Sequence, residues 1–173
     1  MAAVLKLERA EVERICRETP GIVEIANLNA PGQTVVSGEA PAVASALERF
    51  RAGGARVVPL AVSAPFHCSL MKPAALQLAR ELAAATFRPL RCGLVCNVTA
   101  ELLKSAEDAP ELLERQVTAP VRWLESVRRL QALGARRYLE FGSGAVLTGL
   151  LNRILEQPDA RAVVDMKSLE EAL

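Results

Sequence analysis

The sequence has 173 residues, of which 51% are hydrophobic, and a formal net charge of +1. This size fits one globular domain, or one domain with a small lobe. Basic and acidic residues nearly cancel, at 21 against 20, which excludes the electrostatic footprint of a nucleic-acid or lipid-surface binding protein. The first residues do not form a secretory signal, and no apolar run approaches the roughly 20 residues that cross a bilayer. We therefore expect a cytoplasmic protein with neither nucleic acid nor a membrane as partner.

The first sixty residues alternate between strand and helix patterns. The patterns predict strands over 2–7, 22–26, 34–37 and 56–62, with helices over 8–18 and from Pro41 to the glycines at 53 and 54. The turn-rich segment 27–32 predicts a hairpin connection. The expected inward faces of the helices are Val12, Ile15 and Cys16 in the first, and Val43, Ala44, Leu47 and Phe50 in the second. The order β-α-β-β-α-β is the ferredoxin-like pattern.

The rest of the chain has mainly helical patterns, with single strands between them. We expect helices over 73–86, 109–117, 120–133 and 145–155, strands over 93–98, 137–141 and 161–164, and a last helix from Ser168, capped by a Ser168–Glu171 box. Strands alternating with helices predict a mostly parallel sheet covered on both faces. Three strands are few for such a sheet, which usually has four to six. This shortage predicts that something outside the chain completes the sheet.

His67 is the only histidine of the sequence and follows an apolar, strand-like run. Imidazole exchanges protons near neutral pH without large tuning, so His67 is a candidate general base, although a lone histidine is often structural. Its neighbour Cys68 is a second candidate, but adjacent residues of an extended segment point to opposite faces. The four cysteines (Cys16, Cys68, Cys92 and Cys96) form no C-x-x-C pair, so we expect free thiols and no metal site.

Other segments carry weaker signals. The junction Gly142-Ser-Gly144 between a strand and a helix could cradle a phosphate, but the favoured interpretation is a tight turn that lets the helix pack on its strand. No G-x-S-x-G nucleophile elbow occurs, and Ser143 is only part of a G-S-G turn. The pairs Arg128-Arg129 and Arg136-Arg137 are typical of a solvated helix face, and an acidic partner could use them.

Four segments together resemble signatures of the malonyl-CoA:acyl carrier protein transacylases. They are Asn27-Leu-Asn-Ala-Pro-Gly-Gln-Thr-Val-Val-Ser-Gly38, Ser63-Ala-Pro-Phe-His-Cys-Ser-Leu-Met-Lys-Pro73, Arg115-Gln-Val-Thr-Ala-Pro-Val-Arg-Trp123 and Glu140-Phe-Gly-Ser-Gly-Ala-Val-Leu-Thr-Gly149. They occur in the family's order and at its spacing, and the resemblance covers essentially the whole chain. A small departure is Ser143, where the family often has proline.

The resemblance implies acyl transfer by a serine–histidine pair. The family moves a malonyl group from malonyl-CoA to the pantetheine thiol of acyl carrier protein, in fatty acid biosynthesis, without a cofactor. His67 matches the catalytic base, and Gln116 matches the residue whose main-chain carbonyl orients the imidazole. Asn27 and Asn29 match positions near the cleft between the lobes, where substrate binds. Phe66 resembles the malonyl-preferring form of the histidine motif, in which a bulky ring could crowd an α-methyl group.

The family also has an N-terminal portion that is not matched here. That portion carries a Gly-His-Ser-x-Gly elbow, the oxyanion donors and the arginine that pairs with the malonyl carboxylate. Met1 resembles an internal position of the family. The resemblance therefore implies an α/β chain with a ferredoxin-like small lobe over about 1–62, and the returning C-terminal part of an α/β-hydrolase-like lobe over 63–173. We expect this polypeptide alone to be inactive, because it has the base without the serine.

Three alternatives remain open at this point. The chain could be a non-catalytic module that binds carrier protein, with Arg128 and Arg137 as its contact surface. It could be a fragment of a polyketide synthase acyltransferase domain. It could also be a hydrolase that uses Ser143 or Cys68 with His67. In any of these cases the uncovered sheet edge predicts association with the unmatched portion or with a second copy of the chain.

Overall fold

A computed structural model describes residues 1–172, which fall into two compact units. The first unit is Met1–Ser126, and the second begins at Val127. The lobe boundary expected after residue 62 lies inside the first unit and stays a prediction. The chain is mixed α/β, as its alternating patterns predict. In the described part, no helix is both long and apolar enough to span a membrane.

The first unit begins with a four-stranded antiparallel sheet and two helices. Its elements in chain order are β1 (Ala2–Leu5), α1 (Arg9–Glu18), β2 (Val23–Ala30), β3 (Gln33–Gly38), α2 (Ala40–Ala52) and β4 (Arg56–Pro59). The strand order β2-β3-β1-β4 places β1 between its two antiparallel neighbours. This is the order that the ferredoxin-like pattern predicts.

The core of this sheet lies between the strands and the two helices. Val12, Ile15 and Cys16 of α1 are buried against it, as their helical spacing predicts. In α2 the buried residues are Ala42, Val43, Ala46, Leu47 and Phe50. The expectation for Ala44 is wrong, because this residue is exposed, and its neighbours at 42 and 43 occupy the inner face instead. Alanine carries too little apolar area to fix which face of a helix turns inward.

β2 is longer than its sequence predicts. The predicted turn over 27–32 is reduced to the residues Pro31 and Gly32, and Asn27 and Asn29 belong to the strand. A β-bulge between Ile25 and Asn27 shifts the alternation of side chains by one residue. Ile25 pairs with Val36, whose side chain is in the helix-covered core, whereas Asn27 pairs with the next residue of β3. The bulge therefore turns Asn27 to the sheet face away from α1 and α2.

The remainder of the first unit combines helices with irregular segments. It contains α3 (Lys72–Ala84), α4 (Ala109–Thr118) and the start of α5 (Trp123–Ala132), which runs across the unit boundary. The strand predicted over 93–98 is wrong: the segment makes a single bridge, between Val95 and Leu102. Its apolar residues do satisfy the pattern of a strand, but the chain reverses at 96–100, so only one residue finds a cross-strand partner.

The second unit contains a two-stranded parallel sheet. Its strands are β5 (Arg137–Phe141) and β6 (Asp159–Val163), joined through α6 (Val146–Ile154) and followed by α7 (Met166–Ala172). The predicted Ser168–Glu171 capping box is wrong by one turn. Instead the carboxylate of Asp165 accepts from the Ser168 N–H at 2.8 Å, and the Ser168 hydroxyl accepts from the Asp165 N–H at 2.9 Å. Aspartate is a strong N-cap, so the helix begins one turn earlier.

Candidate active site

His67 lies in the connection between β4 and α3 of the first unit. The Leu60 N–H, just after β4, donates to the Met1 carbonyl at 3.0 Å, which ties this connection to the edge of β1. His67 itself has φ of 58°, in the left-handed region that a β-carbon disfavours. Such conformations persist where the surroundings impose them, and they occur often at functional sites.

Glu24 of β2 anchors the chain just after His67. One carboxylate oxygen accepts from the Ser69 main-chain N–H at 2.7 Å, and the other accepts from the Ser69 hydroxyl at 2.6 Å. A carboxylate makes hydrogen bonds about twice as strong as a neutral acceptor does. Glu24 therefore fixes the position of the strained residue relative to the ferredoxin-like sheet.

Gln116 lies in the last turn of α4, and its main-chain carbonyl is free of the helix. In an α-helix this carbonyl would accept from the N–H four residues later, but that residue is Pro120, which has no N–H. Proline also holds the preceding Ala119 in an extended conformation, with φ of −108° and ψ of 153°, so the helix cannot continue. Pro120 thus leaves the Gln116 carbonyl without the main-chain donor that a continuing helix would supply.

The His67 ring meets this carbonyl. The distance from His67 Nδ1 to the Gln116 carbonyl oxygen is 2.9 Å. Since a carbonyl oxygen can only accept, the Nδ1 atom of the neutral ring carries the hydrogen. The Nε2 atom is then left with its lone pair, which is the arrangement that a general base needs. The side chain of Gln116 is held as well, because its Oε1 accepts from Asn97 Nδ2 at 2.9 Å.

The other three expected site residues lie on two elements. Phe66 precedes His67 directly, and its side chain is 41% exposed. Asn27 and Asn29 are half-buried residues of β2 whose side chains make no hydrogen bond to His67 or Gln116 within residues 1–172. β2 nevertheless reaches the strand-like segment that follows α4: the N–H of Leu28 donates to the Val121 carbonyl at 2.9 Å, and the Val121 N–H donates to Ala26.

The structure disfavours Cys68 as a nucleophile. Its side chain is fully buried, and the thiol donates to the Pro65 carbonyl at 3.1 Å. Reactive cysteines are usually at least partly exposed, because the thiolate must reach its substrate. The hydrogen-bond partner of the imidazole is therefore a main-chain carbonyl and not the neighbouring sulfur.

An apolar groove of about 410 Å³ adjoins this arrangement. Asn97 and Gln116 are the polar residues in its wall. Its apolar lining includes Phe87, Leu90, Leu94, Leu112 and Leu113. Leu90, Leu94 and Leu113 are 41%, 46% and 39% exposed, so the groove presents large apolar side chains to solvent. Apolar surface of this kind is typical of a region that another polypeptide or a ligand covers.

The Gly142-Ser-Gly144 turn is not arranged as a phosphate site. The main-chain N–H groups of Leu147 and Thr148, in the first turn of α6, donate to the carboxylate of Glu140 at 2.9 and 2.7 Å. Burial alone would raise the pKa of Glu140, but these hydrogen bonds outweigh it and hold the pKa below its ordinary value of 4.5. An anion at this helix start would meet a carboxylate that already occupies it.

Sequence reasoning found His67 and Gln116 but not the residues that hold them. The sequence did not indicate a role for Glu24 or Asn97. A glutamate in a strand usually lies on the exposed face, and an asparagine near a turn usually serves the turn itself. Pro120 did carry a signal: a proline four residues after a helical residue always leaves that residue's carbonyl without its helical donor. This rule could have identified the Gln116 carbonyl from spacing alone.

The chain is similar in sequence to bacterial malonyl CoA-acyl carrier protein transacylases. It is 37% identical over 177 residues to that of Bacillus subtilis and 39% identical over 176 residues to that of Escherichia coli K12, and each alignment covers all of this chain. These alignments cover 56% and 57% of the relatives, so the chain spans just over half their length. A polyketide biosynthesis protein of Burkholderia thailandensis is 39% identical over 160 residues, which are 14% of its length. No protein-family model matches the chain.

Solved structures of transacylases also match the chain across just over half of their own length. A malonyl-transacylase solved in complex with a type II polyketide synthase acyl-carrier protein superimposes with a TM-score of 0.95 at 43% identity, over 99% of this chain and 57% of the other. The malonyl-CoA:acyl carrier protein transacylase of Xanthomonas oryzae pv. oryzae gives a TM-score of 0.95 at 38% identity, over 99% and 56%. The fold of the chain is thus that of part of an α/β acyltransferase.

Proposed function

Because the chain is homologous over its whole length to the malonyl-CoA:acyl carrier protein transacylases, we propose that it is the base-carrying part of such an acyltransferase. The reaction would move a malonyl group from malonyl-CoA to the phosphopantetheine thiol of acyl carrier protein. The observation that supports this proposal best is the 2.9 Å contact between His67 Nδ1 and the Gln116 carbonyl, which leaves Nε2 available as a base.

In the first half-reaction, His67 Nε2 takes the proton of a serine hydroxyl as the serine oxygen attacks the thioester carbonyl carbon of malonyl-CoA. The bond between this carbon and the sulfur of CoA then breaks, and His67 gives the proton to the leaving thiolate. The products are a malonyl-serine ester and free CoA. The Gln116 carbonyl stabilises the imidazolium that forms in between, the role that a carboxylate has in a serine–histidine–aspartate triad.

In the second half-reaction the carrier thiol replaces CoA. His67 Nε2 takes its proton, the sulfur attacks the ester carbonyl carbon, and the bond to the serine oxygen breaks. The proton returns to the serine. No cofactor is needed, because each step is a proton transfer coupled to acyl substitution. Phe66, beside the base, would restrict the room for an α-methyl group, and Asn27 and Asn29 would line the substrate side of β2.

We also propose that the 173-residue polypeptide does not turn over alone. Its sequence contains no G-x-S-x-G elbow, and a triad that lacks its nucleophile keeps little of its rate. The test is incubation of the purified chain with malonyl-CoA and holo acyl carrier protein, followed by mass spectrometry of the carrier. Malonyl-carrier formed at a rate typical of enzymes, about 1 s⁻¹ or faster, would contradict this proposal.

A complementation experiment tests the role of His67. The chain is mixed with a separate polypeptide that carries the Gly-His-Ser-x-Gly portion of a relative, and transfer is measured again. We expect activity to appear, and His67→Ala to lower it by roughly 10³-fold or more, whereas Gln77→Ala on the exposed face of α3 leaves it unchanged. Equal activity of the His67→Ala and Gln77→Ala mixtures would exclude His67 as the base.

The relatives also favour a second pathway context. A polyketide biosynthesis protein has the same 39% identity to the chain as the Escherichia coli transacylase, over 91% of the chain instead of all of it. Comparing a fatty acid carrier protein with a polyketide carrier protein in the same assay distinguishes the two. A complemented mixture that binds carrier protein without acylating it would instead favour a non-catalytic binding module. Charge reversal at the exposed Arg128 and Arg137 tests that surface.

A further inference from the structure

Asn97 lies behind the carbonyl that holds the imidazole. Its Nδ2 atom donates to Gln116 Oε1 at 2.9 Å. Its main-chain carbonyl accepts from the N–H of Arg122 at 3.0 Å, and the Arg122 guanidinium donates to the Thr99 carbonyl at 2.9 Å. Asn97 is thus fixed at both its main chain and its side chain, and it connects the 96–100 turn with the two ends of the segment that contains Pro120.

The apolar surroundings of the Asn97 and Gln116 side-chain amides favour the hydrogen bond between them. Asn97 and Gln116 are half-buried in a groove wall whose other members are almost all apolar. A hydrogen bond is stronger in such surroundings than in water, and an amide left without its partner there is costly. The side chain of Gln116 therefore has one favourable orientation, towards Asn97.

The main-chain carbonyl of Gln116 is held by the hydrogen bond to His67 and not by a donor of its own helix. Its carbonyl belongs to the last turn of α4, where Pro120 provides no N–H, and the last turns of helices fray. Within residues 1–172, the hydrogen bond recorded for the Gln116 side chain is the one to Asn97. Loss of that contact would let the carbonyl rotate away from the ring while the helix itself persists.

We propose that Asn97 is a positioning residue: its amide fixes Gln116, and the Gln116 carbonyl thereby holds His67 as the Nδ1–H tautomer. This inference rests on the proposed function only in identifying His67 as the base. Without the carbonyl, a neutral imidazole also populates the Nε2–H form, in which the nitrogen that should accept a proton already carries one. Asn97 would therefore act on the reaction through the tautomer and not through substrate contact.

The single histidine allows a direct test. Long-range ¹H–¹⁵N spectra of the full chain report the tautomer of a neutral imidazole, and here the only imidazole signal belongs to His67. We expect Nδ1–H to dominate in the native chain. Asn97→Ala should raise the ratio of Nε2–H to Nδ1–H by roughly twofold to tenfold, the effect of one hydrogen bond of ordinary strength. Asn152→Ala, at an exposed position of α6, is the matched control and should leave the ratio unchanged.

A double-mutant cycle separates this role from a general loosening of the fold. Gln116→Ala removes the side-chain acceptor but keeps the main-chain carbonyl, so it should shift the ratio as Asn97→Ala does. The double variant should shift it no further, because both substitutions break one bond. If Asn97→Ala does not fold, as judged by amide dispersion, Gln116→Ala carries the test, because alanine is a good helix former.

An unchanged tautomer ratio in folded Asn97→Ala, or in folded Gln116→Ala, would overturn the proposal. So would additive shifts in the double variant, since they would mean that Asn97 acts by another route. The proposed function fails by a different result, namely full activity of His67→Ala in the complementation experiment. The tautomer measurement needs neither serine nor substrate, so the two failures are distinguishable.

Discussion

Glu24 is the residue whose loss should loosen the His67 segment most directly. In the native chain the two carboxylate oxygens of Glu24 accept from the main-chain N–H and the hydroxyl of Ser69. Glu24→Gln removes the charge and leaves one oxygen for these two donors. We expect the free energy of unfolding of the first unit to fall by about 1–2 kcal/mol. Urea denaturation followed by circular dichroism measures this loss.

Glu48→Gln is the control for this prediction. Glu48 is 78% exposed on α2 and pairs with Arg51 one turn away, so its substitution should change the stability by less than about 0.5 kcal/mol. Equal urea midpoints for the two variants would mean that the contact between Glu24 and Ser69 contributes nothing beyond a surface pair.

At the scale of elements, the end of α4 has the clearest functional consequence. Pro120→Ala supplies an N–H at the position where the helix would use the Gln116 carbonyl, so the helix can lengthen and compete with His67 for that oxygen. We expect the Nε2–H tautomer of His67 to gain at least about twofold over the native chain, measured in the same ¹H–¹⁵N spectra.

Pro110→Ala is a control in the same helix. Pro110 lies in the first turn of α4, where a missing N–H leaves no helical acceptor unpaired. The His67 tautomer should therefore be unaffected by this substitution. A similar change in both variants would show that the tautomer responds to the stability of α4 and not to the donor at position 120.

The start of α6 depends on one carboxylate. Because the pKa of Glu140 is lowered in the folded chain, its contribution to stability is present above the ordinary value of 4.5 and is lost as the pH falls through the lowered value. Glu140→Gln should reduce the stability of the second unit by about 1 kcal/mol at pH 7 and by progressively less below pH 4.5. Denaturant unfolding at pH 7 and pH 3 measures the difference.

The exposed Glu156, also in the second unit, provides the comparison. Glu156→Gln should change stability by less than about 0.5 kcal/mol at either pH. If Glu140→Gln lowers the stability by the same amount at pH 3 as at pH 7, the charge of Glu140 is not the cause. The difference between glutamate and glutamine at this position would then lie in packing alone.

An element could be predicted correctly where its own residues determine it, and not where it depends on a partner elsewhere in the chain. β5 was predicted with its observed bounds, because a short segment with tyrosine, leucine and phenylalanine between a glycine and the G-S-G turn is typical of a strand. The strand over 93–98 was wrong, because the same apolar pattern needs a partner strand, and only Val95 finds one. The length of β2 was underestimated because asparagine, proline and glycine usually mark a turn, whereas bulges let Asn27 and Asn29 remain in the strand.

The proximity of His67 and Gln116 could be predicted from the sequence, but the residues that hold them in place could not. Four collinear motifs implied His67 and Gln116, and the structure joins them by a hydrogen bond. Glu24 and Asn97 act through contacts to residues that are 45 and 19 positions away. Such contacts depend on the fold as a whole, so residue type and spacing cannot reveal them.

At the scale of the whole molecule, the apolar groove beside Gln116 governs how the chain behaves without a partner. We expect a second copy to cover it, so that the apparent mass in sedimentation rises with concentration. Leu94→Glu, in the groove, should shift the chain towards the monomer. Leu76→Glu, an exposed leucine of α3 outside the groove, should not. A native chain that stays monomeric at high concentration would contradict this expectation.

The position of Met1 has a practical consequence for handling the protein. Because its carbonyl accepts from the Leu60 N–H, any tag fused before Met1 would emerge beside the segment that leads to His67. A polyhistidine tag there would add imidazole signals that overlap the single resonance of His67. With a purification tag that lacks histidine, attached at the C-terminal end, His67 remains the single histidine and serves as an intrinsic spectroscopic label.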